Sequence, residues 1–240
     1  MSSRARLVFL LVIGLVAAAC LRLGFWQLER LRERRAANDV AAAARGLPEL
    51  DLGATDGEAP AQRMVRATGR YDAAHELVIR GQALRERPGV HVVTPLRLSG
   101  DTLAVLVLRG FVASPDAVTI DPSETAPAGD ETTVRGLALP LEEREDDGAR
   151  LSSEGRGITW KGLDRSAIEA MLPYAVSDVV IVQSPDSALP ASPRPLEAPA
   201  LDDGPHLSYA IQWFAFATIA IVGGVALFGR RGSASGAGAP

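Results

Sequence analysis

The chain has 240 residues, with 25 Lys and Arg against 29 Asp and Glu, a formal net charge of −4 and 47% hydrophobic residues. Its basic residues gather near two apolar ends, so it offers no basic face for nucleic acid. Its one cysteine, Cys20, excludes a disulfide framework, a Cys-x-x-Cys redox pair and a thiolate metal cage, which argues against a copper chaperone or thiol oxidoreductase.

Lys161 is the only lysine among abundant Arg, Ala, Gly and Pro, the usage of a GC-rich and so bacterial genome. The first element is an apolar run over residues 7–21, prolonged by Leu23, Gly24, Phe25 and Trp26. A bilayer core of ~30 Å needs about 20 apolar helical residues. Residues 7–28 meet that as a first transmembrane helix if Arg22 snorkels to the interface. Ala17, Ala18 and Ala19 before Cys20 also fit a cleaved secretory signal or a lipidation site. The uncleaved anchor is the preferred reading, because cleavage would turn the block after Cys20 into a free N-terminus.

Residues 29–205 are expected to form one β-rich domain outside the cytoplasm. The first helix should run on through Leu28, Leu31 and the Ala-rich stretch 36–44, until Gly46 and Pro48 stop it. Strand-like runs follow at 64–68, 76–80, 90–98 and 103–112, punctuated by Gly69, Gly81 and Gly89. The run 103–108 is almost wholly apolar and reads as a strand buried on both faces. Ser99, Gly100 and Asp101 join the last two runs as a hairpin.

Residues 113–131 read as a long Pro- and Asp-rich excursion, and 132–139 as a returning strand. The acidic stretch 141–148 reads as a solvated loop, and 157–161 as a short strand. Asp164 or Ser166 can cap a short helix ending at Leu172, with Glu169 completing a capping box from Ser166. A last strand is expected at 178–183, and 184–205 is a Pro-rich tether.

Residues 206–228 form the second expected transmembrane helix, and 229–240 a disordered cytoplasmic tail. Asp202 and Asp203 precede this helix and Arg230 and Arg231 follow it, which puts its C-terminus in the cytoplasm. Two spans then place both termini in the cytoplasm. Arg22, Arg30, Arg32, Arg34 and Arg35, after the first span, run against that rule. The expected fold class is a multi-pass bacterial plasma-membrane protein, its two terminal helices flanking a mostly antiparallel, barrel-like β (α+β) domain.

Four blocks carry a resemblance. Leu23-Gly24-Phe25-Trp26-Gln27-Leu28-Glu29-Arg30 leaves the first helix, and Gly69-Arg70-Tyr71-Asp72 stands before a strand. Gly89-Val90-His91-Val92-Val93-Thr94-Pro95-Leu96 leads to Val105-Leu106-Val107-Leu108-Arg109-Gly110-Phe111. His206-Leu207-Ser208-Tyr209-Ala210-Ile211-Gln212-Trp213-Phe214 opens the second helix. In this order, between two terminal helices, they resemble the Surfeit locus protein 1 family of cytochrome c oxidase assembly factors.

The resemblance implies a non-enzymatic role in maturing subunit I of haem-copper oxidases, through transient handling of haem a. Subunit I and the haem a synthesis machinery are the implied partners, beside the lipid bilayer. Bacterial members place a suspected axial haem ligand at the start of the second helix, and His206 occupies that position. The family usually has two asparagines before this histidine, where this chain has Gly204 and Pro205. The family's Arg-Gly-Trp is Arg109-Gly110-Phe111 here, without the indole donor.

The residues themselves are compatible with that role. Imidazole ligates haem iron, and an aromatic lining suits the macrocycle. Trp26, Tyr209 and Trp213 are the candidate haem-contacting aromatics, although such residues also form the interfacial belt of membrane proteins. Arg109 is a candidate contact for a haem propionate or a partner carboxylate, or else a solvated turn residue. His75 and His91 lack metal-site spacing. No His-Glu-x-x-His, Gly-x-Ser-x-Gly or glycine-rich phosphate loop suggests an enzyme. The rival reading is a non-catalytic membrane scaffold that holds an oxidase intermediate without touching haem.

Overall fold

Apolar runs at both ends and short β runs between them give two terminal helices and a sheet. The computed structural model describes residues 3–55, 61–99, 103–127, 129–141, 150–153, 157–186 and 189–229. The described chain divides into two compact units, one of residues 1–40 with 201–240 and one of residues 41–200.

The first unit holds all but the last turn of helix α1 (Ser3–Arg45), which lies antiparallel to the terminal helix α4 (His206–Gly229). A Cβ at Gly24 would come within 2.6 Å of the Phe214 ring, and one at Gly224 within 3.3 Å of Ile13. Phe25 meets Phe214 edge-on, with centroids 5.3 Å apart. On α1 the seam runs through Ile13, Ala17, Cys20, Gly24, Gln27 and Leu31, a spacing of alternating four and three residues. On α4 it runs through Ala210, Ala217 and Gly224, one every seven residues. Small residues let two backbones approach closely, the device of helix pairs that associate without an aqueous driving force. Cys20 is one of them, a buried free thiol in the seam.

In the second unit the strands are β1 (Leu50–Asp51), β2 (Met64–Tyr71), β3 (Leu77–Leu84), β4 (Arg87–Leu98), β5 (Ala104–Ala113), β6 (Thr132–Pro140), β7 (Arg150–Ser153), β8 (Gly157–Trp160) and β9 (Val176–Gln183). Their order is β1-β2-β6-β9-β5-β4-β3-β8-β7, and β2 also pairs with β4. That extra pairing joins Gly69–Tyr71 to Leu96–Leu98 and closes β2, β6, β9, β5 and β4 into a five-stranded ring. Most pairings are antiparallel; β1–β2, β3–β8 and β5–β9 are parallel.

Each strand of the ring sends alternate side chains into one apolar cluster, including Val65, Leu96, Val105, Val107, Val134 and Ile181. The opposite faces of β5 and β9 pack Leu106 and Val180 into a second cluster with Leu77, Trp160 and Ile168. β5 is therefore buried on both faces, as its unbroken apolar run predicts. Helix α3 (Arg165–Met171) covers the second cluster through Ile168.

Some local expectations change. Asp164, not Ser166, caps α3 by accepting from the Ala167 N–H at 2.8 Å. Ser166 donates to that same carboxylate, and Glu169 pairs with Arg165 at 2.9 Å, so no capping box forms. β3 and β4 run longer than expected and meet in a tight hairpin at Arg85 and Glu86, both at positive φ. The excursion after β5 holds a one-turn helix α2 (Pro122–Thr125) capped by Asp121. The tip of the hairpin expected at residues 99–101 and most of the acidic stretch 141–148 lie outside the described residues.

Candidate functional site

His206 is the first residue of α4. The turn before it is tied down. Gly204, at φ +66°, takes a left-handed conformation that favours glycine, and its N–H donates to Asp202 Oδ1 at 3.0 Å. The Asp202 carbonyl accepts from Arg34 Nε at 3.1 Å and Asn38 Nδ2 at 2.8 Å. Arg35 pairs with Asp203 at 2.8 Å. Two of the arginines that run against the charge rule are thus engaged by the Asp202-Asp203 segment before the second apolar helix.

Two turns of α1 before Arg34, Gln27 reaches the imidazole: its Oε1 lies 2.9 Å from His206 Nδ1. With the proton on Nδ1, the ring donates to the amide oxygen and its Nε2 lone pair points elsewhere. Nε2 has no protein partner among the described residues. This edge of the ring faces Gly204, where a Cβ would make ordinary van der Waals contact, 3.4 Å from Cδ2 and 3.5 Å from Nε2. Gln27, 179 residues away in sequence, thus offers the ring an amide oxygen.

The aromatic candidates do not gather as one set. Trp213, half-buried, meets Phe216 edge-on at 5.9 Å, one helical stride along α4. Tyr209 is 46% exposed. Trp26 is 49% exposed and lies under the Arg30 guanidinium, 5.5 Å from the ring centroid. With Arg22, Leu23, Phe25 and Glu29 it lines an open groove on α1. Helical spacing puts Trp26 about 100° around from Gln27, so the residue that meets His206 is its neighbour.

Arg109 belongs to the other unit, on β5, and it is not a solvated turn residue. Its side chain is 6% exposed, and its Nη1 donates to Thr125 O at 2.5 Å and Glu76 Oε2 at 3.2 Å. Its guanidinium also stacks 5.1 Å from the Tyr71 ring centroid. Glu76 is fixed in turn by Thr125 Oγ1 at 2.7 Å and Thr94 Oγ1 at 3.0 Å. Burial pushes the Tyr71 phenol up to about 12, so it stays neutral beside the cation. A propionate or partner carboxylate reaching this guanidinium would meet a cation already paired with Glu76. Sequence reasoning missed Glu76, which sits at the edge of an unremarkable polar turn.

Gly110 is explained by backbone geometry. Its φ of +150° is open to glycine, and a Cβ would collide with the Arg194 carbonyl. Phe111 and Arg194 exchange two backbone hydrogen bonds at 2.8 Å, pinning the Pro-rich segment to β5.

His75 and His91 are also placed. His75 Nδ1 bonds Asp72 Oδ2 at 2.8 Å, and His91, half-buried, stacks edge-on to Phe111 with its pKa lowered by that burial. Among the described residues no group of three or more His, Cys, Asp and Glu is placed to hold a metal ion.

These features define a class: a β-rich domain carried between two terminal helices long and apolar enough to cross a membrane, the second opening on an oriented histidine. The SURF1 family model matches residues 14–218, from the first helix through the sheet and into the second. The chain belongs to the SURF1 family. It is similar to the SURF1-like protein of Rickettsia felis, at 25% identity over 221 residues, covering 88% of this chain and 93% of that one. The SURF1-like protein of Rickettsia prowazekii is 26% identical over 221 residues, covering 83% and 81%. That of Rickettsia bellii is 26% identical over 211 residues, covering 83% and 82%.

Proposed function

We propose that this protein is a non-enzymatic assembly factor of the bacterial plasma membrane that helps mature subunit I of a haem-copper oxidase, with His206 as an axial ligand for haem a in transit. Family membership supports the assembly role. The observation that carries the haem role is the His206 imidazole, held on Nδ1 and open at Nε2. That donor fits haem iron, and Trp213 and Tyr209 on the same helix supply aromatic surface for the macrocycle. Haem a, when bound, would supply an iron that this ring would ligate. Trp26 is read as an interfacial anchor, and Arg109 as a structural cation of the domain.

Helix α1, at about 65 Å, is twice as long as a bilayer core is thick, so it serves as both span and stalk. The α4 stretch His206–Ala226 is the second span. Both termini lie in the cytoplasm, a topology that the antiparallel packing of the helices and the engagement of Arg34 and Arg35 by the Asp202-Asp203 segment favour.

The test is deletion of the gene, followed by reduced-minus-oxidised spectra of the membranes. The oxidase haem a band should fall while b- and c-type signals persist. Complementation with His206→Ala should fail to restore the band. Full rescue by that variant would favour a scaffold that touches no haem, and an unchanged haem a band in the deletion strain would refute the assembly role.

A further inference from the structure

We infer that Gln27 is the positioning residue of His206: its amide oxygen holds the Nδ1–H tautomer and so keeps Nε2 free to bind a metal. The inference rests on the reading of His206 as a haem ligand. A neutral imidazole carries one proton on either of two nitrogens, and only the bare nitrogen can ligate. What the other nitrogen bonds to decides which one is bare, and such partners also raise ligand basicity.

Three features make Gln27 a fixed partner. It lies on the α1 seam, three residues after Gly24 and four before Leu31, so helix packing and not solvent sets its direction. Its Oε1 is 2.9 Å from Nδ1, hydrogen-bond distance for a ring N–H donor. The opposite edge of the ring faces Gly204, which has no side chain to compete for Nε2. The polar residue after Trp26 is thus more than the edge of an interfacial belt.

The experiment uses the full chain in detergent micelles with ¹⁵N-labelled histidine. The chain has three histidines, so His206→Ala assigns the His206 ring signals. In alkaline buffer without haem, wild type should show the proton on Nδ1 and a bare Nε2. Gln27→Leu should mix the tautomers. It should also weaken haemin binding, followed by the Soret band, by about 10-fold or more, the usual effect of losing such a partner. Gln27→Glu, a stronger acceptor, should keep both the tautomer and the affinity, and it guards against a fold lost to leucine.

A wild-type ring protonated on Nε2 would overturn the inference, as would a Gln27→Leu protein with unchanged tautomer and unchanged haemin affinity. Haemin binding that survives His206→Ala would instead sink the ligand reading and remove the function assigned to Gln27. The tautomer arm would still report whether the amide orients the ring, so the two failures are distinguishable.

Discussion

Arg109 Nη1 lies 3.2 Å from Glu76 Oε2, 33 residues apart in sequence, with the two side chains only 6% and 14% exposed. A pair this dry is expensive to break from one side. Removing one partner of a buried ion pair leaves an unpaired charge and costs about 3–5 kcal/mol. Glu76→Leu should therefore destabilise the domain by roughly that amount, read by urea unfolding of the full chain in detergent. Combining Glu76→Leu with Arg109→Met should recover most of the loss, because a packed apolar pair often replaces an ionic one without penalty. A single variant within about 0.5 kcal/mol of wild type would show that the pair contributes little.

The sequence was informative where the physics is local. The apolar run 103–108 reads as a strand covered on both sides, and β5 is one. The two apolar ends read as long helices, and α1 and α4 are. Capping was half legible: Asp164 was a candidate, but Ser166 and Glu169 mimicked a capping box that the helix does not use. The rest depends on partners far apart in the chain. Ring closure rests on Gly69–Tyr71 meeting Leu96–Leu98, Glu76 meets Arg109 only across the sheet, and Gln27 meets His206 only when the helices pack. The Ala210, Ala217, Gly224 spacing stood in plain view, but small residues in an apolar helix look like composition until a second helix lies against them.

Gly110 joins two distant segments through its missing side chain. Alanine there would meet both an unfavourable φ and the Arg194 carbonyl, so the two backbone hydrogen bonds between Phe111 and Arg194 should open. Strain of this kind costs on the order of 1–3 kcal/mol. Hydrogen exchange should locate the damage: the Phe111 and Arg194 amides should lose protection in Gly110→Ala while the Leu106 amide in β5 keeps it. Equal loss along the whole strand would mean that the glycine supports the sheet at large and not this one junction.

Asp72 gives the domain a defined acid sensitivity. Burial alone would raise its pKa, but hydrogen bonds from Tyr174 and His75, with the His75 charge and the Ala74 N–H, outweigh it and hold the carboxyl below its ordinary 3.8. A group with a depressed folded-state pKa adds stability that is complete above the unfolded value and is lost as pH falls through the folded one. Thermal melts of wild type should therefore decline as pH drops below about 4, the range where an unfolded aspartate takes up its proton. Asp72→Asn should melt lower than wild type at neutral pH, and its curve should be flatter below pH ~4 because it has no proton to bind there. Tyr174→Phe removes one hydrogen bond that lowers the carboxyl pKa, brings the folded value back toward the unfolded one and should make the decline smaller. An acid decline in Asp72→Asn as steep as that of wild type would assign the sensitivity to other carboxylates, of which Asp116, held well below its ordinary value by hydrogen bonds from Thr119, Ser114 and Val118, is the next to test.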